Sequence, residues 1–277
     1  MALPKSTKIT LTILVILALT GLYACLIEPF KLKVTKWEIE SDKWTAQTEL
    51  KIALISDVHA IWPWMSSAHI ETIVKRTNAL KPDLILLLGD YVGTHPFGIP
   101  LTPEQGVAPY KELSATCGVF AILGNHDLHG STKWPEALIK TNIPVLQNKA
   151  ISIECKNETL WIAGLEELWY QNTDIQNTIK QISDSQPVIM MMHNPDSFID
   201  IPKSVTLSVA GHMHRGQIRL PVIGAIKQVL PSKFGKRFLY GHIKEEGKDL
   251  VVSGGLGMTG LPLRLLNPPE ITLITLK

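Results

Sequence analysis

The sequence LILLLGD at residues 84–90 is an uninterrupted apolar run that ends in a glycine and a carboxylate. A short apolar run without alternation is typical of a strand that is buried on both faces of a parallel sheet. In open sheets of this kind, ligands bind in the crevice at the carboxyl ends of the strands. The stretch therefore predicts an α/β fold in which Asp90 lies at a functional edge.

Four more polar clusters follow apolar runs in the same way. The five runs, at residues 52–56, 84–88, 119–123, 188–192 and 207–210, are interpreted as buried strands. Five of the nine histidines lie in these clusters, and a solvated loop gives no reason for such a collection. The additional clusters are Asp57-Val58-His59, Gly124-Asn125-His126-Asp127, His193-Asn194 and Gly211-His212-Met213-His214.

The spacing of the clusters supports parallel strands. Asp57, Asp90 and Asn125 are separated by roughly the 30 or more residues that a strand-helix-strand unit needs. Between them, residues 67–80 place apolar side chains on one helical face, and residues 103–115 are a weaker helix candidate. The remaining predicted elements are a hairpin of residues 238–243 and 249–253 and a closing strand at residues 270–276.

The composition indicates one folded domain behind an N-terminal segment. The chain has 277 residues, of which 45% are hydrophobic and 19% charged, so it can bury a large core. A formal charge of +2, without Lys and Arg clustered among aromatic residues, gives no sign of nucleic-acid binding. The predicted divisions are a membrane anchor or signal segment at residues 1–30, a linker and lead-in strand at 31–50, and the main domain at 51–277.

The N-terminal segment predicts membrane attachment. Residues 9–27 are uncharged and largely apolar, about the length that crosses a bilayer as a helix. A retained signal anchor, a cleaved signal peptide and a lipidated Cys25 are the three alternatives. Lys5 and Lys8 before the span favour a main domain outside the cytoplasm, whereas the lysines at residues 31–36 favour the cytoplasmic face. We expect the extracytoplasmic orientation.

The three cysteines show no paired spacing. Neither a thiolate zinc site nor a disulfide framework is indicated by Cys25, Cys117 and Cys155. The latter two could pair only if the fold placed them close together. We expect no bridge between them.

The polar clusters offer the donor atoms of a metal centre. They supply carboxylates, one amide oxygen and four imidazoles but no thiolate, a set that suits Mn, Fe, Zn or Co. We favour Mn. The set exceeds what one ion needs, so two divalent metal ions that share a bridging carboxylate are the economical arrangement. The predicted metal ligands are Asp57, His59, Asp90, Asn125, His193, His212 and His214.

Such a centre favours phosphoryl transfer. Two divalent ions outweigh the charge of two carboxylates, so the site would attract a phosphate and hold a hydroxide between the metals. That hydroxide would attack phosphorus in line, and a protonated histidine would donate to the leaving oxygen. His126 is the predicted acid.

The whole series Asp-Val-His, Gly-Asp, Gly-Asn-His-Asp, His and Gly-His-Met-His resembles the motifs of the calcineurin-like metallophosphoesterase superfamily over residues 51 to about 217. Residues 193–196, 216–221 and 260–270 resemble its membrane-associated bacterial YaeI/YkuE-like phosphodiesterase branch. The resemblance implies a four-layer αββα sandwich behind an N-terminal hydrophobic anchor helix, single-pass in a bacterial inner membrane. Met213 and Arg215 stand where this branch usually has Thr and Gly, and Arg215 beside the site could alter substrate choice.

The resemblance also implies a role for each site residue. Asp90 would bridge the two metals, and His126, oriented by Asp127, would be the catalytic acid. One metal would be held by Asp57, His59 and His214, and the other by Asn125, His193 and His212.

The predicted function is a membrane-associated, dinuclear metal-dependent phosphodiesterase. Its substrate would be a phosphodiester-containing small molecule or a phospholipid. One alternative is a lipid-nucleotide pyrophosphatase of the UDP-2,3-diacylglucosamine type, which needs a site that faces the cytoplasm. A non-catalytic metal-containing binding protein is less favoured, because every predicted ligand and the acid are present.

Two further features are interpreted without a catalytic role. Residues 221–240 mix apolar and basic side chains, which fits either a flap for an amphipathic phosphorylated lipid or a segment that packs on the sheet. The histidines outside the clusters are assigned to packing or surface positions. These are His69, His95, His129 and His242.

Overall fold

Two β-sheets lie face to face at the centre of the structure, a computed structural model that describes residues 4–44, 48–94, 96–129 and 133–277. Helices and 3₁₀ turns cover the outer face of each sheet. The layers therefore run helix, sheet, sheet, helix, and the predicted four-layer αββα sandwich is confirmed.

The strands of the described residues are β1 (Lys33–Ile39), β2 (Leu50–Ile55), β3 (Ile61–Trp62), β4 (Leu84–Leu87), β5 (Ile99–Pro100), β6 (Val119–Ala121), β7 (Lys149–Cys155), β8 (Glu158–Gly164), β9 (Val188–Met191), β10 (Leu207–Ala210), β11 (Arg219–Leu220), β12 (Gly224–Ala225), β13 (Gly241–Glu245), β14 (Lys248–Val252) and β15 (Glu270–Leu276). The α-helices are α1 (Lys5–Leu26), α2 (Ser67–Ala79), α3 (Pro103–Val107), α4 (Trp134–Ile139) and α5 (Ile175–Lys180).

Both sheets have a parallel centre. The five-stranded sheet has the order β1-β15-β2-β4-β6, in which β2, β4 and β6 are parallel. The six-stranded sheet has the order β13-β14-β10-β9-β8-β7, in which β14, β10, β9 and β8 are parallel and both edge strands are antiparallel. All five predicted apolar runs lie in these parallel strands, so their carboxyl ends define one edge of each sheet.

Strand β2 shows why the runs are apolar throughout. Ile52 and Leu54 point into the core between the two sheets. Ala53 and Ile55 point the other way, into the core beneath helix α2. Because successive side chains of a strand alternate between faces, a strand covered on both sides must be apolar at every position.

Helix α2 agrees with the predicted helix at residues 67–80. The Ser66 side chain accepts the backbone N–H of His69 and so caps the first turn. The buried face carries Ile70, Ile73 and Val74 against the five-stranded sheet. This amphipathic pattern is the feature of the sequence that predicted the helix.

The second predicted helix, at residues 103–115, is only partly formed. Helix α3 covers Pro103–Val107 and is followed by a 3₁₀ turn at Ala108–Glu112. Pro109 lies at the start of that turn, where it lacks the N–H that would continue the α-helical ladder. The hairpin of β7 and β8 was not predicted, whereas the hairpin of β13 and β14 forms around Glu246-Gly247 as expected.

A disulfide joins Cys117 to Cys155, so the expectation of no bridge is wrong. Cys117 lies just before β6, the last strand of the five-stranded sheet, and Cys155 ends β7, the last strand of the six-stranded sheet. Stacking of the two sheets brings their Cα atoms to 5.2 Å, a normal distance for a disulfide. The spacing of the cysteines along the sequence does not predict this contact between the sheets.

Helix α1 projects from the domain. It is the one helix in the described part of the chain that is long and apolar enough to cross a membrane, and most of it is exposed. Its C-terminal end differs, because Ala24 in the last turn and Glu28 and Pro29 in the 3₁₀ turn that follows are buried. The predicted division at residue 30 stays a prediction, but the contact between the helix and the domain begins earlier in the chain.

Candidate metal centre

The loops that follow five parallel strands meet at one edge of the sandwich. Asp57 and Asp90 follow β2 and β4, and Asn125 follows β6. His193 and His212 follow β9 and β10 of the facing sheet. The structure thus brings together side chains that are far apart in the chain, because parallel strands end at the same edge.

The first group of donor atoms consists of Asp57, His59 and His214, all buried. The Nε2 atoms of His59 and His214 are 3.1 Å apart, and Nε2 of His214 is 3.6 Å from Oδ1 of Asp57. All three donor atoms lie within 4.8 Å of one another, close enough to bind one ion.

The second group consists of Asp90, His193 and His212, with Asn125 beside them. Nε2 of His193 lies 3.2 Å from Nδ1 of His212 and 3.2 Å from Oδ1 of Asn125. The four side chains converge on one point, as the ligands of a second ion would.

Asp90 lies between the two groups. Its Oδ2 is 3.6 Å from Nε2 of His59 in the first group and 3.2 Å from Nε2 of His193 in the second. Its other oxygen, Oδ1, accepts the backbone N–H of His126 at 2.9 Å, which fixes the carboxylate plane. Asp90 occupies the position that the predicted bridging role requires.

The loops hold these ligands in an unusual backbone conformation. Asp57, His59, Asp90, His212 and His214 all have positive φ, between 46° and 67°. Residues other than glycine adopt this left-handed region uncommonly, and such strain concentrates at functional sites. The tight turns direct successive side chains into the same small volume.

The tautomers of the histidines test whether the site fits a metal. Nδ1 of His59 lies 2.9 Å from the carbonyl of Val92, and Nδ1 of His193 lies 2.7 Å from the carbonyl of Leu88. A carbonyl only accepts hydrogen bonds, so these Nδ1 atoms carry protons. Nε2 of each ring is thereby directed into the site as a ligand atom, as in histidines that bind a metal through one nitrogen and donate the other N–H to a carbonyl.

In His212 a backbone carbonyl also orients the ring, but it lies against Nε2 and not Nδ1. Its Nε2 lies 3.1 Å from the carbonyl of Pro231, which leaves Nδ1 for the metal. Three of the four imidazoles are therefore oriented by backbone carbonyls, and the residues present fit a pair of divalent ions.

Burial and the neighbouring charges set the pKa values of the site. Burial lowers the pKa of His59 to about 4 and that of His212 to about 3, so both rings are neutral at pH 7. Burial raises the pKa of Asp57 to about 6. For His193, burial alone would lower the pKa, but attraction by Asp90 outweighs it and raises the pKa to about 10.

His126 lies at the open side of the centre. Its ring is 5.1 Å from that of His59, and the ring is only half-buried. Nδ1 lies 3.1 Å from the hydroxyl of Thr94, and Nε2 lies 3.4 Å from the hydroxyl of Thr259. Thr94 and Thr259 were not predicted as site residues, because neither belongs to a polar cluster.

Asp127 is buried and connects the loops of the site, and its predicted role in orienting His126 stays a prediction. Its carboxylate accepts the backbone N–H groups of Asp90, Tyr91 and Gly124 at 2.7–2.9 Å. It therefore fixes the loops that present Asp90 and Asn125, and the hydroxyl of Thr94 is the group that lies against Nδ1 of His126. Buried backbone N–H groups such as these need an acceptor, and the Asp127 carboxylate supplies it.

A layer behind the first metal group reaches the N-terminal helix. The Asn267 side chain donates to the carbonyl of His214 at 2.7 Å, and the backbone N–H of Asn267 donates to the carboxylate of Glu28. Arg264, fully buried, donates to the carbonyls of Gly254, Gly257 and Asn267. No local pattern in the sequence identifies these contacts.

Three described histidines outside the clusters, His69, His129 and His242, are not part of either ligand group. His69 directs Nδ1 to the carbonyl of Trp64, and His242 pairs with Asp249 on the β13–β14 hairpin. His129 is exposed. His95 lies outside the described residues.

The fold and the paired ligand groups are those of a metal-dependent hydrolase. A profile of the calcineurin-like phosphoesterase family matches residues 50–216. The chain belongs to this family and is a phosphoric ester hydrolase.

Relatives match almost the whole chain. The metallophosphoesterase YkuE of Bacillus subtilis is 32% identical over 92% of this chain and 89% of its own length. A metallophosphoesterase of Aquifex aeolicus is 31% identical over 95% of this chain and 98% of its own. A zebrafish protein named as a transmembrane protein with a metallophosphoesterase domain is 26% identical over 99% of this chain and 63% of its own. The similarity therefore includes the N-terminal region as well as the motifs.

Proposed function

We propose that this protein is a membrane-anchored phosphodiesterase that uses two divalent metal ions, with Mn favoured. The observation that carries the proposal is the position of Asp90, whose Oδ2 lies within 3.6 Å of a ligand atom in each group. Asp57, His59 and His214 would hold one ion, Asn125, His193 and His212 the other, and Asp90 both. Bound there, the ions supply an activated nucleophile and neutralise the charge of the phosphoryl group.

The chain's own residues provide the proton for the leaving group. His126 is the half-exposed imidazole beside the first metal group, and Thr94 holds its Nδ1. Nε2 lies 3.4 Å from the hydroxyl of Thr259, and it is the nitrogen that would donate to a leaving oxygen. The hydrogen bond from its backbone N–H to Asp90 holds the His126 loop beside the two ligand groups. This arrangement supports His126 as the general acid.

A diester is favoured over a monoester by the surroundings of the centre. A cavity of about 360 Å³ with apolar walls opens beside His212 and His214. A monoester has no second organic group to place there, whereas a diester does. The cavity also favours the alternative lipid-nucleotide pyrophosphatase.

The Cys117–Cys155 disulfide supports an extracytoplasmic domain. Disulfides form and persist in oxidising compartments and are rare in the cytosol. A nucleotide-linked lipid is made in the cytoplasm, so the same bridge counts against the pyrophosphatase. The orientation thus separates the two functions.

The test uses the full-length protein in detergent, stripped of metal and reloaded with Mn²⁺, with bis-p-nitrophenyl phosphate as substrate. We expect metal-dependent hydrolysis in the wild type and its loss in Asp90→Ala. His129→Ala replaces an exposed histidine on the loop of Asn125 and His126 and should retain the wild-type rate. Hydrolysis that survives without metal, or in Asp90→Ala, would contradict the proposal, and so would inactivity with two metals bound.

A further inference from the structure

The cavity beside the metal centre is lined mainly by apolar side chains. It measures about 360 Å³, within the usual range for ligand sites. Its walls include His212 and His214, so a molecule that fills the cavity also touches both ligand groups. The apolar lining is formed by Met213, Ile218, Ile226, Val229, Leu230 and Leu261.

Next to this cavity stands a hairpin whose tip is both apolar and exposed. Strands β11 and β12 are joined through Pro221-Val222-Ile223, where Val222 is fully exposed and Ile223 is 64% exposed. Val222 has a φ of 67°, a left-handed conformation that is a genuine outlier for a β-branched residue. Strain that holds an apolar side chain in water has no evident role in folding and points to a binding role.

Residues 221–240, which include the hairpin, also contain side chains that pack against the domain, in contrast to the exposed tip. Leu230, Phe234 and Phe238 lie against the outer core of the six-stranded sheet. Val229, one residue before Leu230, is 72% exposed. Packing on the sheet therefore explains the second half of residues 221–240 and leaves the hairpin tip and Val229 unexplained.

The hairpin is tied to the end of helix α1 through two adjacent residues. The backbone N–H of Arg264 donates to the carbonyl of Ala24 at 3.0 Å, and the N–H of Arg219 in β11 donates to the carbonyl of Leu265 at 2.9 Å. Leu261 and Leu266 on this connecting loop are exposed as well. If α1 crosses a bilayer, the membrane surface lies close to this loop and to the hairpin.

Basic side chains follow the apolar tip in the chain, and Lys236 reaches it through a hydrogen bond to the carbonyl of Ile223. Lys227, Lys233 and Lys236 are exposed on the segment that follows the hairpin. An apolar surface bordered by lysines is typical of elements that lie in the interface of an anionic membrane.

We propose that the cavity beside His212 and His214 binds a hydrocarbon chain of a lipid substrate, which enters from the membrane beside the β11–β12 hairpin. The inference rests on the proposed function, because the phosphodiester of that lipid would lie on the metal centre. The cavity shares a wall with the ligands, the hairpin tip offers an apolar path, and the end of α1 places both near the bilayer.

The cavity is tested by binding of butyl, hexyl and octyl phosphate to the full-length, Mn-loaded protein in nanodiscs, measured by calorimetry. The affinity should rise roughly three- to fourfold with each methylene that enters the cavity. Ile226→Trp and, separately, Val229→Trp fill the cavity from its rim and should flatten this dependence. Ile139→Trp, on the exposed face of α4, should keep the wild-type slope.

The outcomes separate the two proposals. A wild-type affinity that does not change with chain length, or an unchanged slope in both cavity variants, would overturn the hydrocarbon site. The hydrolysis of bis-p-nitrophenyl phosphate is measured on the same samples. Its absence would overturn the phosphodiesterase, whereas chain-dependent binding would still support the cavity.

The hairpin is tested by a nitroxide label on Val222→Cys in a Cys25→Ser background, since Cys25 is the free cysteine. In vesicles that contain anionic lipid, the label should collide more with oxygen than with a water-soluble nickel chelate. A label on Ile139→Cys should show the reverse. Equal nickel accessibility at both positions would contradict entry from the membrane.

Discussion

Two regions of the molecule are built in opposite ways. One is the rim, the strand ends that carry the metal ligands, and the other is the helix side, the loops that join the rim to helix α1. At the rim, ligands such as Asp57, Asp90 and His193 are almost fully buried and follow parallel strands directly. On the other side, Arg264 and Asn267 hold irregular loops to the helix, and Val222 is in solvent. We propose that the rim carries the chemistry and that the loops next to the helix select the molecule that reaches it. Variants on the two sides should therefore fail in different ways.

The largest effect is expected at the rim. His126→Ala removes the proposed general acid and should lower kcat by about a thousandfold, with metal content unchanged. The rate with a substrate whose leaving group needs no proton should fall much less. An equal loss with both kinds of leaving group would mean that His126 does not act as the acid.

The disulfide holds the two sheets together away from the rim. Cys117→Ser opens a loop of 38 residues and should lower the free energy of unfolding by about 4 kcal/mol on a chain-entropy account. Thermal unfolding of the variant and of the reduced wild type should agree. A variant as stable as the oxidised wild type would show that the bridge is not formed.

On the helix side, Arg264→Met should lower stability more than rate. The guanidinium donates to three buried carbonyls, and their loss leaves acceptors without partners at a cost of about 3 kcal/mol after apolar replacement. We expect a lower melting temperature and a kcat within about tenfold of wild type in the protein that remains folded. A rate loss as large as that of His126→Ala would remove the distinction between the two sides.

The pH dependence of metal affinity tests the protonation states of the ligands at the rim. The pKa of His193, raised to about 10, means that a proton must leave when a metal binds at pH 7. Affinity should therefore rise about tenfold per pH unit near neutrality. Below the pKa of Asp57, at about 6, a second proton competes and the dependence should become steeper. Calorimetry in buffers of different ionisation enthalpy measures these protons, and none released at pH 7 would contradict this charge state.

The smallest effect is expected where the two sides meet. Asn267→Ala removes the hydrogen bond to the carbonyl of His214 and should weaken the first metal group by about 1 kcal/mol, severalfold in metal affinity. Competition with a chelator measures the change. Asn177→Ala, at an exposed position of helix α5, is the matched control and should leave metal affinity unchanged.

Much of the rim could be predicted from the sequence, because each cluster of ligands follows a continuous apolar run, and such a run predicts a buried strand. Asp90 after residues 84–88 is the clearest case. The position of Thr94 against His126, the role of Asp127 in holding loops and the Cys117–Cys155 bridge could not be predicted in this way. They depend on how separate elements pack against one another, and the local periodicity of a sequence does not predict that packing.

The same limit applies to the helix side. Residues 9–27 are recognisable as apolar, but the burial of Glu28 beneath Asn267 is a contact between opposite ends of the chain. The sequence left open whether residues 221–240 pack or bind. The structure divides that segment, with Phe234 and Phe238 packed and Val222 exposed.

The most direct test of the central claim is to count the metals and detect their coupling. The full-length protein is loaded with Mn²⁺, its metal content is measured by mass spectrometry, and its electron paramagnetic resonance spectrum is recorded. We predict two ions per chain in the wild type with the signature of a coupled pair, and loss of that coupling in Asp90→Ala. One ion per chain, or two ions with no coupling in the wild type, would contradict a centre that is bridged by Asp90.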